Sequence, residues 1–125
     1  MIFSDKIKEA LLNASSKALA TSFDNAINVV PVSSLRIEGN EIWLIDYFFN
    51  KTKDNLINND NIALTCWSDF SGYQFKGKAA YLTEGNDFKL AVEWISKLHP
   101  NRKVKGLIVL TVNEIFDISI DKKVL

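Results

Sequence analysis

The run Gly-Leu-Ile-Val-Leu-Thr-Val at residues 106–112 constrains the fold more than any other part of this 125-residue chain. The run is almost continuously apolar and rich in branched side chains, which is typical of a strand buried on both faces. A membrane-spanning helix needs roughly 18 apolar residues, so the run is too short to be one. We therefore predict a strand here and no association with a membrane.

Other segments have the length and composition of β-strands, and they occupy residues 17–23, 27–32, 42–45, 61–68 and 73–83. Asp24 and Asn25 separate the first two, and Gly39 and Asn40 separate a run ending near Ile37 from residues 42–45; such residues favour tight turns. Short connections favour antiparallel neighbours. The chain thus has six predicted strands.

Three segments are predicted helices. Apolar residues recur at helical spacing over residues 3–13, a short helix begins near Thr52, and a third runs from Asn86 or Asp87 to Leu98. The apolar side of the third helix is predicted to consist of Phe88, Ala91, Val92, Ile95 and Leu98.

Two residues refine the arrangement of the strands. Gly77 lies in the middle of a predicted strand, where glycine usually marks a bulge, a barrel bend or a close approach by another group. Pro31 cannot donate a backbone hydrogen bond, so it should lie at an edge, at a strand end or in a bulge. Because closure removes exposed edges, we predict one α+β domain over residues 1–125, built on a small antiparallel barrel.

Composition excludes several functions. Fifteen basic and fifteen acidic side chains cancel, which removes the positive field that nucleic-acid binding needs. One cysteine, Cys66, and one histidine, His99, cannot form a metal cluster, and no nucleophile elbow, P-loop or dinucleotide-binding glycine motif occurs. Cys66 is expected in the core, His99 at a helix end, and the protein in a reducing cytoplasm.

One segment suggests ligand chemistry. Asn50, Lys51 and Thr52 lie where a strand gives way to a short helix, and a helix start presents unpaired backbone N–H groups. Thr52 is the predicted N-cap. Lysines are unfavourable at the positive end of a helix dipole unless an anion binds there, as a phosphate monoester would. A solvated loop capped by Thr52 is the alternative interpretation.

The order of motifs along the chain resembles that of the small flavin-binding split barrels related to pyridoxamine phosphate oxidase. The motifs are Ala-Thr-Ser-x-Asp (20–24), Asn-Val-Val-Pro-Val-Ser (28–33), Asp-x-x-x-x-Lys-Thr (46–52) and Gly-Tyr-Gln-x-Lys-Gly-x-Ala (72–79). The resemblance implies a six-stranded antiparallel split β-barrel with flanking short helices. It also implies a homodimer with one FMN per subunit at the interface.

The resemblance further implies which residues contact FMN. The backbone of the strand that includes Val30, Pro31, Val32 and Ser33 would contact the isoalloxazine ring. Asp46 and Tyr47 would lie along the flavin, Lys51 and Thr52 would hold the phosphate, and Asn50 would border the ligand. Gln74 would approach the cofactor of one subunit or the other. The late basic residues and the cofactor-linked histidine of some relatives have no evident match.

These implications favour an FMN-binding flavoprotein that transfers electrons or hydride to or from a small molecule or a redox protein. The alternative is a non-catalytic FMN carrier or sensor, and a third possibility is another flat cofactor such as haem or a deazaflavin. The aromatic residues Tyr47, Phe48, Tyr73 and Phe75 are expected at the dimer interface, since one small barrel should not bury them all.

Overall fold

The computed structural model describes residues 3–125 and has α+β architecture. Its helices are α1 (Asp5–Asn13), α2 (Lys51–Asn58) and α3 (Asn86–Leu98). Its strands are β1 (Ser16–Phe23), β2 (Ala26–Pro31), β3 (Leu35–Glu38), β4 (Glu41–Asp46), β5 (Asn61–Ser68), β6 (Ser71–Leu82), β7 (Gly106–Asp117) and β8 (Lys122–Lys123). Within the described residues, no helix is both long and apolar enough to cross a bilayer.

The strands form one antiparallel sheet in the order β2-β1-β5-β6-β7-β4-β3, with β8 added beside β7. The prediction of six strands is wrong: the described residues form eight. The chain leaves β2 at Pro31 and re-enters the sheet at its opposite end as β3, so the predicted run up to Ile37 is broken. In the described part of the chain, β2 and β3 are not hydrogen-bonded to each other, and the sheet is open between them.

Strand β7 is buried on both faces, as its apolar run predicts. Leu107 and Val109 pack with Ala91 and Ile95 of α3 in one cluster. On the other face, Ile108, Leu110 and Val112 belong to the main core. This core also contains Leu19, Leu44, Leu64 and Phe75 from the sheet, Ile7 and Leu11 from α1, and Phe3, which precedes that helix.

Helix α3 meets the sheet through a narrower stripe than predicted. Its N-cap position is Gly85, so neither Asn86 nor Asp87 caps it. Ala91 and Ile95 are its buried residues, whereas Val92 and Leu98 are exposed. Val92 directly follows Ala91 and therefore turns away from the contact line, whereas Leu98 is the last residue of α3.

The predicted turns and the bulge are confirmed. Asp24 and Asn25 have positive φ angles of 51° and 66° in the β1–β2 turn. The β6–β7 register shifts between Lys76 and Gly77, and a Cβ added at Gly77 would lie 2.0 Å from the carbonyl oxygen of Thr111. Glycine is therefore required there by close backbone packing.

The main core takes up more aromatic side chains than expected. Tyr73 and Phe75 are buried, and Phe75 is fully enclosed, so the assignment of these two residues to an interface is wrong. Phe75 packs against Phe3 with ring centroids 5.7 Å apart. Cys66 is buried as predicted, and its burial raises the pKa of its thiol.

Candidate functional site

The start of α2 offers backbone donors without a capping side chain. The helix begins at Lys51, and Asn50 occupies the N-cap position without making a side-chain capping bond. The prediction of Thr52 as N-cap is therefore wrong. The first-turn N–H groups of α2 are left for another acceptor, and the side chain of Lys51 is exposed beside them.

Thr52 points into the protein. It is buried, and its Oγ1 accepts a hydrogen bond of 2.8 Å from Nδ2 of Asn28 on β2. Two further asparagine amides join α2 and the residue after it to β1, from Asn55 to Thr21 at 3.2 Å and from Asn59 to the Ser22 carbonyl at 2.9 Å. These bonds fix α2 against the β1–β2 hairpin. Sequence reasoning gave the asparagines no role, because no local pattern links them to strands so distant in the chain.

A second lysine reaches the same helix start. Lys105 donates a hydrogen bond through its ammonium to the carbonyl of Phe49, and Nζ lies 3.5 Å from Oδ1 of Asn50. Its backbone N–H donates to the carbonyl of Asp46 at 2.8 Å. Lys105 thus adds positive charge where α2 begins. It was missed because it is 54 positions beyond Lys51, and only the β4–β7 pairing brings the two segments together.

Asp46 shapes the turn that leads into α2. Its carboxylate is fully buried and accepts bonds from the backbone N–H of Phe49 at 2.6 Å and from the hydroxyl of Tyr81 at 2.5 Å. Burial, followed by the bond to Asp46, raises the pKa of Tyr81. The Tyr81 ring covers Gly106, where an added Cβ would lie 2.3 Å from the ring. The Asp46 side chain therefore stabilises the turn before α2 and is not exposed.

Ser33 and Tyr47 border one cavity of about 420 Å³. The hydroxyls of Tyr47 and Ser34 are 2.8 Å apart, which holds the Tyr47 ring in place. The guanidinium of Arg102 lies 5.3 Å from the centre of the same ring, within cation–π range. Arg102 was also missed by the sequence analysis, since its loop carries no recognisable motif.

The other predicted residues divide into two groups. Val30 and Val32 turn inward and pack against the main core, while Pro31 is exposed on edge strand β2. Gln74 lies on the outward-facing side of β6, paired with Thr65, and β1 and β5 separate its strand from β2. Within one chain, the structure does not bring Gln74 to the residues of β2.

Comparison with known proteins shows the family to which the sequence is similar. The profile of the pyridoxamine 5′-phosphate oxidase family matches residues 3–119, which is nearly the whole chain. The chain belongs to that family. An uncharacterized protein of Methanocaldococcus jannaschii is 34% identical over 101 residues, covering 78% of this chain and 68% of the relative.

Solved structures agree with the pyridoxamine 5′-phosphate oxidase family in fold. HupZ of Group A Streptococcus superposes with a TM-score of 0.88 at 21% identity, covering 99% of this chain and all of its own. An FMN-binding protein of Syntrophomonas wolfei gives a TM-score of 0.76 at 21% identity, covering 90% of this chain and 85% of its own. At these identities the likeness establishes the fold.

Proposed function

We propose that the protein binds FMN, with the phosphate at the start of α2 and the flavin ring along the end of β2 towards Tyr47. The observation that carries this proposal is the uncapped α2 start, which begins with the exposed residue Lys51 and lies beside the ammonium of Lys105. A dianionic phosphate monoester accepts hydrogen bonds from such donors and is favoured by the helix dipole. Membership of the pyridoxamine 5′-phosphate oxidase family supports the same assignment.

The remaining predicted residues take roles that their positions allow. Since the Thr52 side chain is buried and its hydroxyl faces Asn28, we assign the contribution of Thr52 to its backbone N–H. Val30 and Val32 face the core, so they would meet the ring through backbone groups, as would Pro31 through its carbonyl. Asn50 borders the phosphate, and Asp46 holds the preceding turn.

We infer that the activity is transfer of electrons or hydride between a reduced donor and an acceptor. FMN, when bound, supplies this chemistry, so the chain needs no nucleophile of its own. The protein's part is to hold the phosphate, orient the ring and exclude water. A carrier or sensor of FMN would need the same binding groups but would not turn over an acceptor.

A titration tests the binding proposal. The purified chain, freed of any bound flavin, is titrated with FMN and with riboflavin while flavin fluorescence is followed. We expect FMN to bind at least tenfold more tightly, because riboflavin lacks the phosphate. Equal affinities would contradict the phosphate site. Reduction of the FMN-loaded protein with dithionite, followed by mixing with candidate acceptors, then separates a reductase from a carrier.

We also propose a two-fold dimer that covers the outer face of β2 and β1. Ile27 and Val29 are 81% and 62% exposed on edge strand β2, and they pair across to the small residues Ser22 and Ala20. An apolar stripe of this kind on a sheet face is typical of a contact surface. In such a dimer, Gln74 could serve the FMN site of the second subunit.

A further inference from the structure

A cavity of about 280 Å³ lies between α1 and the hairpin of β5 and β6. Lys6, Ala10 and Asn13 line it from α1, and their spacing of four and three positions places them on one side of the helix. The facing wall comes from the β5–β6 hairpin and from the end of β7. Pockets for drug-sized ligands hold about 300 to 1,000 Å³, so this space, called the α1 cavity below, has room for a smaller molecule.

The α1 cavity is remote from the proposed FMN site within one chain. Strand β7 begins at Gly106, which pairs with Asp46 before α2, and ends at Asp117, which lines the cavity. At roughly 3.3 Å per residue, the two ends of this strand are on the order of 30 Å apart. The residues assigned to FMN do not line the cavity. A ligand bound here would therefore not touch the flavin of the same subunit.

Tyr73 supplies the cavity with an unpartnered hydroxyl. The residue is 8% exposed and packs in the main core, yet its hydroxyl makes no hydrogen bond to any of residues 3–125. Among these residues, no fully enclosed side-chain nitrogen or oxygen lacks a partner. The hydroxyl must therefore reach open space, and the space that Tyr73 lines is the α1 cavity. Because buried hydroxyls normally have a partner, this one is suited to contact a ligand.

Further hydrogen-bonding groups line the same cavity. The Oγ of Ser68 accepts a bond of 3.0 Å from the backbone N–H of Ser15, which leaves its own proton free to donate. The side chains of Asn13 and Ser71 also line the cavity, and neither is hydrogen-bonded to another of the described residues. The cavity thus presents several polar groups that now contact water.

Two opposite charges face the α1 cavity without meeting. Oδ1 of Asp117 accepts bonds from the backbone N–H and the hydroxyl of Ser119, at 2.9 and 2.5 Å, whereas Oδ2 has no partner among residues 3–125. The bonds from Ser119, and also the charge of Lys6, lower the pKa of the Asp117 carboxyl and keep it ionised. Within the described residues, Lys6 and Asp117 do not form an ion pair. A ligand that carries both charges can therefore meet both groups.

We propose that the α1 cavity binds a small zwitterion, namely a free α-amino acid with a short side chain. Its ammonium would donate to the free oxygen of Asp117, and its carboxylate would accept from Lys6. A side-chain hydroxyl, as in serine, would give Tyr73 the partner that it lacks. A neutral polyol would use the hydroxyl groups but leave both charges unpaired, so the charges favour the zwitterion. This site does not depend on the proposed FMN function.

Probes that differ in charge test the assignment. L-Serine, N-acetyl-L-serine, which lacks the ammonium, and L-serinamide, which lacks the carboxylate, are each added to the protein, and binding is measured by ligand-observed NMR. We expect L-serine to bind about tenfold more tightly than either analogue, because each analogue loses one charge-assisted contact. Equal binding of L-serine and one analogue would overturn the proposal. Binding of glycerol as tight as that of L-serine would also overturn it and indicate a polyol site.

Two double variants separate a site from general charge. Lys6→Gln combined with Asp117→Asn should abolish the preference for L-serine. Lys89→Gln combined with Glu93→Gln removes the same charges from exposed positions of α3 outside the cavity and should keep the preference. Equal losses in the two double variants would contradict the proposal.

Tyr73→Phe tests the contact without disturbing the fold, since the hydroxyl has no partner among the described residues. We expect L-serine to bind about fivefold more weakly to this variant, while L-alanine, which has no hydroxyl, binds as it does to the wild-type protein. Unchanged L-serine affinity would refute the proposed contact. L-Serine affinity should also be the same with and without FMN, and displacement of L-serine by FMN would overturn the assignment to a separate site.

Discussion

The hydroxyl of Tyr81 donates a hydrogen bond of 2.5 Å to the carboxylate of Asp46, which is fully buried at the end of β4. The same carboxylate accepts the backbone N–H of Phe49. Tyr81 is also within cation–π distance of Lys53 on α2, at 5.3 Å from its Nζ. One tyrosine on β6 therefore contacts both the turn before α2 and the helix itself.

Tyr81→Phe should lower the free energy of unfolding by about 1 to 3 kcal/mol, since it leaves a buried carboxylate with one donor fewer. Urea denaturation measures the change. Tyr73→Phe is the matched control, because the Tyr73 hydroxyl makes no hydrogen bond to another described side chain and should be lost at little cost. Similar losses for both variants would show that Asp46 does not depend on Tyr81.

Tyr81 should also make stability depend on alkaline pH. Burial and the bond to Asp46 raise its pKa in the folded protein above the ordinary value of 10.0. A group of this kind contributes its full stability below the unfolded pKa and loses it as pH rises towards the folded pKa. We expect the free energy of unfolding to fall above about pH 10, and Tyr81→Phe should flatten this fall. Parallel pH profiles for the two proteins would refute the assignment.

Lys51→Ala should weaken FMN binding roughly tenfold or more, because a charge-assisted hydrogen bond to phosphate contributes about 1.5 to 3 kcal/mol. Riboflavin affinity should change little, since riboflavin has no phosphate. Lys78→Ala is the control: its side chain is exposed on the face of β6 opposite to that of Ala79 and Tyr81, which pack with α2 against the main core. Equal losses of FMN affinity in both variants would indicate diffuse electrostatics instead of a site.

The sequence predicts local structure well and long-range structure poorly. The buried run in β7, the turn at Asp24 and Asn25 and the bulge at Gly77 follow from properties of a few neighbouring residues, and the structure confirms them. The break between β2 and β3 could not be predicted in this way, because the residues before the break and the residues after it, up to Ile37, both have the composition of a strand. The break becomes visible only in the strand order, where β2 pairs with β1 and β3 pairs with β4 at the opposite end of the sheet.

The candidate site shows the same limit. Lys51 was identified because it lies beside a predicted helix start, whereas Lys105 and Arg102 reach the site from a loop far along the chain. The Thr52 side chain is buried beside Asn28, a residue of β2 that donates a hydrogen bond to its hydroxyl. Such contacts are set by the sheet order, and spacing in the sequence does not reveal them.

Gly77→Ala should destabilise the protein by about 1 to 3 kcal/mol or more, because its Cβ would lie 2.0 Å from the Thr111 carbonyl oxygen and backbone must move. Gly39→Ala provides the comparison: nothing lies within 4 Å of its added Cβ, and only the positive φ of 63° opposes it. Thermal and urea unfolding should therefore show a much larger loss of stability for Gly77→Ala than for Gly39→Ala. The reverse order would mean that the bulge accommodates a side chain.

Val29→Lys should dissociate the proposed dimer without unfolding the subunit. Val29 is 62% exposed in the single chain, so a lysine there can reach water and the fold should tolerate it. In a two-fold interface the substitution occurs twice, and each buried ammonium would have to shed its hydration without a partner. Phe70→Lys, at a 93% exposed position in the β5–β6 turn, is the matched control and should leave the dimer intact. Sedimentation velocity over a dilution series distinguishes the monomer from the dimer.

Because FMN would bridge both subunits, its addition should oppose dissociation of the wild-type protein. A wild-type monomer that binds FMN tightly would place the whole site within one chain and disprove the dimer.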